Sequence, residues 1–347
     1  MLSGHWLLYP CSRSSAFDTL SRTSRDNPIL KQLPARHQQK VLNNLSPDLP
    51  LAVTANLIDD ENYWHRCCVQ RWPVCHLDCH GGSWKCTFFE KHLENLIKHF
   101  IPGTTDPAVI LDLLPLCRNY VHRIRVDQFL PPVQLPPPPH SGDQSDSGSE
   151  GEMEEPTMDH YQLGDLVAGL SQLVELDLVY GVKDCGMNFE WNLFLFTYRD
   201  CHSLAATIKA CHTLKIFRLT QSKVDDDKAR ILIRSLLDHP ALEELDLSHN
   251  CIGDRGARAA AKLLSHSHLR VLNLANNQDG GKQLLEGMSD NRTLLDFDLR
   301  LSDVAQESEY LIGQALCANR EEARQRALNA SHFMSPLTAT GPENPEG

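Results

Sequence analysis

Beyond residue 160 the chain places aliphatic residues in a recurring order. Leu173-x-x-Leu176-x-Leu178 is followed by Leu214-x-x-Phe217-x-Leu219-x-x-Ser222 and Leu242-x-x-Leu245-x-Leu247-x-x-Asn250. Leu269-x-x-Leu272-x-Leu274-x-x-Asn277 and Leu294-x-x-Phe297-x-Leu299-x-x-Ser302 complete the series. In each unit the last two apolar positions alternate with polar ones, the mark of a strand buried on one face. The Asn at the ninth position suits a side chain that bonds backbone groups where the chain turns out of the strand. Helical spacing follows the strand. Ile252, Ala257, Ala260, Ala261 and Leu264 show it in one unit, and Val224, Ala229, Leu232, Ile233 and Leu236 in the unit before. The small residues let that helix lie close to its strand.

This pattern resembles the leucine-rich repeat family in its long, ribonuclease-inhibitor-like subtype. The resemblance implies an α/β solenoid over residues 161–330, each repeat contributing one strand and one returning helix. The intervals are uneven. Leu214 to Leu242 is 28 residues and Leu242 to Leu269 is 27, but Leu269 to Leu294 is only 25. The shortfall falls between Gln278 and Asp279, where either the turn is tightened or whole repeats have been removed, since a cut at one phase of a repeat would leave such a scar. The first interval, Leu173 to Leu214, is 41 residues. Its excess carries Phe189, Trp191, Phe194, Phe196 and Tyr198, which read either as a docking patch or as a cap on the open end of the stack.

In repeats of this kind the residues flanking the strand leucines face a concave surface. One column reads Asp177, Arg218, Asp246, Asn273, Asp298, and its neighbour Glu175, Ile216, Glu244, Val271, Asp296. Six acids against one Arg predict an acidic wall suited to a basic protein partner, though such charges also keep a sheet soluble.

Upstream, residues 27–130 show helical patterning, with Val41, Leu42 and Leu45 behind Pro34 and with Phe89, Leu93, Leu96 and Phe100 on one helix face. An all-helical domain is expected there, with Pro102-Gly103 ending the second helix. Residues 131–160 hold Pro131-Pro132, Pro136 to Pro139 and an acidic stretch, and predict a linker that marks the domain boundary. Residues 1–26 and 331–347 are expected to be disordered. Ser145, Ser147 and Ser149 stand beside acids, as phosphorylation targets would, although a solvated spacer explains the tract as well.

Charge sharpens this picture. Lys and Arg number 33 against 45 Asp and Glu, a net of −12. Seven of the acids lie between Ser141 and Asp159, with no Lys or Arg among them. Such a chain is a poor candidate for nucleic-acid or anionic-membrane binding. No apolar run reaches the roughly 18 residues of a membrane span, and the start shows no basic-then-apolar signal segment. The twelve cysteines are therefore expected as reduced thiols in the cytoplasm.

No phosphate loop, nucleophile elbow, zincin helix or dinucleotide fingerprint is present, and no enzymatic activity, cofactor or small-molecule substrate is expected. Cys67-Cys68, Cys75-His76, Cys79-His80 and Cys86 bring zinc's ligand types together. Their spacing forms no paired knuckles, so no metal site is expected.

Two further resemblances concern function. Leu33-Pro34, Val41-Leu42, Leu45, Leu49, Tyr63-Trp64, Cys67 and Arg71-Trp72 resemble a divergent F-box, which implies a substrate receptor of a ubiquitin ligase. A more specific likeness runs through Asn27 to Lys31, Leu45 to Leu57, His99 to Val109 and Asp184 to Phe196. These segments resemble the t-complex-associated testis-expressed family, the leucine-rich-repeat subunit 5 lineage of the nexin–dynein regulatory complex. That likeness implies a cytoskeletal scaffold in the axoneme of cilia and sperm flagella, partnered by other subunits of the complex. It departs from the family over residues 1–26 and at Gln278/Asp279.

Overall fold

The computed structural model describes residues 29–77, 80–132, 159–183, 185, 187, 193, 195–278 and 280–333. The expected leader, most of the linker, Phe189, Trp191, Phe194 and the last fourteen residues of the tail lie outside them. The chain divides into two compact units, one reaching to Ser222 and one starting at Lys223. The division does not fall at the expected linker.

The first unit begins with helices α1 (Ile29–Gln32), α2 (Ala35–Asn44), α3 (Leu51–Leu57), α4 (Glu61–Arg71) and α5 (Trp84–Lys98). Short turns α6 (Ala108–Leu111) and α7 (Leu114–Cys117) follow. Its core is aromatic. Trp64 is fully enclosed with Phe88 and Phe89, and its indole N–H donates to the Ile58 carbonyl at 2.9 Å, so the ring is buried with its one polar atom satisfied. The α2 helix buries none of its residues. Arg66 holds its end by donating to the Leu42 and Leu45 carbonyls, adding to the 3.3 Å bond that the Leu42 carbonyl takes from the Leu45 N–H. Phe89 and Leu93 are buried as expected, and α5 stops at Lys98, before Phe100.

The region is not all-helical. Arg123–Val126 forms strand β1, which pairs in parallel with β2 (Glu175–Leu178). Val121-x-x-Ile124-x-Val126 is the repeat pattern written with β-branched residues, and all three are fully buried. Helix α8 (Gly164–Gly169) precedes β2; α9 (Tyr198–Ala210) and β3 (Ile216–Leu219) complete the unit, with β3 parallel to β2. The linker also ends earlier than expected. His160 is buried, and Asp200 of α9 accepts from its backbone N–H and its ring Nδ1.

The second unit alternates α10 (Asp226–Leu236), β4 (Glu244–Asp246), α11 (Asp254–His266), β5 (Val271–Asn273), α12 (Gly281–Met288), β6 (Asp296–Asp298) and α13 (Gln306–Phe333). Strands β4, β5 and β6 are parallel and in register, Glu244 beside Val271 beside Asp296. The repeat leucines Leu245, Leu247 and Leu272 are fully buried. The α13 helix runs to Phe333, so the expected tail starts as helix.

Candidate functional site: the strand faces

The ninth-position residues behave as their type predicts. Asn250 donates to the Leu247 and Ser248 carbonyls at 3.0 and 3.2 Å and accepts from the Val224 N–H at 3.1 Å. Asn277 repeats this one turn on, donating to Leu247 and Leu274 and accepting from Ile252. Ser302 donates to the Leu274 carbonyl, and in the first unit Ser222 accepts from the Tyr180 N–H. The residue before each of them, Gln221, His249, Asn276 and Leu301, has φ between +50 and +59°. These four repeats thus leave their strands through a left-handed residue, a conformation that costs an L side chain energy.

The columns expected to face a partner fare differently in the two units. In the first, β1 supplies two cations that the repeat reading missed. Arg123 donates to Glu175 through Nε at 2.7 Å, and Arg218 pairs with the same carboxylate from β3. Arg125 reaches Asp177 at 3.2 Å. Glu175 is only 7% exposed. Three Arg against two acids make this strand face balanced to slightly basic, which corrects the expectation of a continuous acidic wall. The missed signal was the β-branched Val121, Ile124, Val126 pattern.

In the second unit Glu244, Asp246, Asp296 and Asp298 stand on strands with no cation. The central column also has a structural task. Asp246, Asn273 and Asp298 each accept from the backbone N–H two residues on, in Ser248, Ala275 and Arg300, at 2.9–3.0 Å. These Asx turns end each strand. Asn273 further donates to Asp246 at 2.9 Å. Arg300 lies on Asp298, and its hydrogen bond holds that carboxyl below the usual range. Arg320 of α13 reaches Asp296 at 3.5 Å.

Of the proposed docking patch, Phe196 is buried against Tyr180, with ring centroids 4.5 Å apart, so it belongs to the core. Tyr198 opens α9 with 43% exposure.

The outer edge of β1 is covered by α5. Glu90 accepts from the His122 and Arg123 N–H groups at 2.8 and 3.0 Å, and Glu94 accepts from Arg125 N–H at 2.9 Å. Four helical residues rise about 6 Å and two strand residues about 6.6 Å, so carboxylates at i and i+4 match alternate strand amides. An edge that would invite further pairing is thereby closed on its donor side. At β6, Asn319 and Arg320 donate to the Leu294 and Leu295 carbonyls at 3.0 and 2.6 Å.

Among the described residues no group of three or more His, Cys, Asp or Glu is placed to hold a metal ion; Cys79 lies outside them. Burial raises the Cys67 thiol and pushes Cys68 up to about 12, which disfavours the thiolate that zinc requires. His80 is engaged through Nδ1 by the buried Glu90. Among the described residues no helix is long and apolar enough to cross a membrane.

A leucine-rich repeat model matches residues 239–259. Proteins named dynein regulatory complex subunit 5 from Macaca fascicularis and Homo sapiens are each 66% identical over 413 residues, covering 94% of this chain and 82% of theirs. A Chlamydomonas reinhardtii protein of the same name is 32% identical over 204 residues, 59% of this chain and 45% of that one. The C-terminal domain of Caenorhabditis elegans tropomodulin overlaps 40% of this chain and 86% of its own at 18% identity, with a TM-score of 0.35.

Proposed function

Because the chain belongs to the dynein regulatory complex subunit 5 family, we propose that it is a non-enzymatic scaffold subunit of the axonemal dynein regulatory complex. There it helps to link outer doublets and to regulate dynein-driven sliding in cilia and flagella. The observation that carries this is 66% identity across 94% of the chain. Its partners are other protein subunits; the reading has no place for nucleic acid, membrane or a small-molecule substrate.

Leucine-rich repeats leave one strand face unpaired by their own helices, and that face is where a scaffold meets its partners. The second unit presents Glu244, Asp246, Asn273, Asp296 and Asp298 on its strands, an acidic face that Arg300 and Arg320 offset only in part, to a partner with basic side chains. The first offers the Arg123–Glu175–Arg218 lattice, which fits a partner carrying both signs. The relatives' name supports this scaffold over the ubiquitin-ligase receptor.

The test is expression of the tagged chain in ciliated cells lacking their own subunit. Recovery in isolated axonemes together with other subunits of the complex supports the reading. A chain that stays in the soluble fraction, or that co-purifies with the ligase adaptor instead, overturns it.

A further inference from the structure

We propose that the helix face of the second unit docks an acidic polypeptide segment of a protein partner. Arg230 and Arg234 of α10 and Arg255, Arg258 and Lys262 of α11 are all exposed. The two helices lie side by side: a Cβ on Gly256 would stand 3.4 Å from that of Ala229. Arg230 and Arg255 share the Asp227 carboxylate at 3.1 and 2.8 Å, which joins the two rows into one patch. Arg234, Arg258 and Lys262 have no ion pair among the described residues.

The spacing works against the helices that carry it. Arg230 to Arg234 and Arg258 to Lys262 are four apart, and Arg255 to Arg258 three apart. Like charges at these spacings face each other and destabilise a helix. Asp254, the exposed acid of α11, sits in the first turn, where it favours the helix N-terminus. The patch also reverses the sign of the chain, whose net charge is −12, and of the strand face of its own unit. An acidic partner would therefore be drawn to the helices and repelled from the strands.

No large apolar or aromatic side chain is exposed on α10 or α11. Base stacking and membrane insertion each need such side chains, so an acidic peptide fits better than RNA or a lipid surface. The inference uses the scaffold reading only for the partner being a protein.

The experiment uses the purified full chain and a fluorescent decaglutamate peptide. Saturable binding that weakens with added salt is expected. R258E/K262E should weaken it about tenfold or more, since these exposed charges act through the local potential. R324E/R326E makes the same charge change on α13 and should leave binding within about twofold. Circular dichroism checks that both variants stay folded. Absence of peptide binding, equal loss in both variants, or tighter binding of oligouridylate or anionic vesicles overturns the proposal. If peptide binding is lost only in R258E/K262E while the chain fails to enter axonemes, this inference stands and the scaffold reading falls.

Discussion

Asn250 is 8% exposed and uses both ends of its amide to tie three backbone groups. Replacing it with Ala leaves the Val224 N–H and the Ser248 carbonyl short of a partner, while the Leu247 carbonyl keeps its bond from Asn277. A loss of about 2–3 kcal/mol is expected, read from urea denaturation of the full chain, because buried polar groups left unpaired carry their desolvation cost. An unchanged midpoint would contradict the ladder. A second residue-scale effect depends on pH. Burial pushes Glu94 up to about 7 from an ordinary 4.5. The folded chain then binds a proton that the unfolded chain has released, so this group's contribution to stability is present at low pH and lost as pH rises toward 7. His92 on the same helix acts in the opposite sense: burial lowers it to about 4 from 6.5, and its contribution is lost as pH falls. The two partly cancel in the native chain. Glu94→Gln should therefore make stability rise more steeply between about pH 4.5 and 7 than in the unaltered protein. Parallel stability–pH curves for the two would refute the assignment.

Helices and strands set tighter limits than their residues do singly. The α12 helix has eight residues where α11 has thirteen, yet β6 still pairs with β5 in register. Glycines allow it. A Cβ on Gly287 would lie 2.6 Å from the Ala261 Cα, and one on Gly280 would lie 2.3 Å from the Ala257 Cβ. In an open helix Gly→Ala adds about 1 kcal/mol of stability. Here Gly287→Ala should lower the melting temperature, because the contact is with backbone that must move. The α11 helix starts on Gly253 without a cap of its own, and Asp226 of α10 accepts from the Gly253 and Gly256 N–H groups at 2.7 and 2.9 Å. The start of α11 thus depends on α10. Leu245→Ala should cost about 2–5 kcal/mol by leaving a cavity under β4, seen as an earlier denaturation midpoint; an unshifted one would contradict the strand assignment.

At the scale of the molecule, length is the open variable. The alignment with the primate relatives spans 413 residues, more than the 347 of this chain. The relatives therefore hold internal residues that it lacks, and the 25-residue period at Gln278/Asp279 marks where the spacing breaks. Stability in repeat arrays grows with each shared interface. Inserting the relatives' extra residues at this junction should raise the melting temperature. If it falls, the shortened join is the better packed of the two.

The sequence by itself determined the repeat, its strand and helix phases, the buried leucines and the turn-forming Asn. All of these follow from side-chain periods within about thirty residues. It also carried the family likeness. Only the tertiary structure brought Arg123 and Arg125 beside Glu175 and Asp177, fifty-two residues on, and so corrected the all-helical domain and the unbroken acidic wall. Only it set Glu90 and Glu94 against the edge of β1 and buried Phe196. Alternation along a strand tells which side faces water. It does not tell which distant strand lies alongside, and that neighbour decides whether a charge is paired or offered.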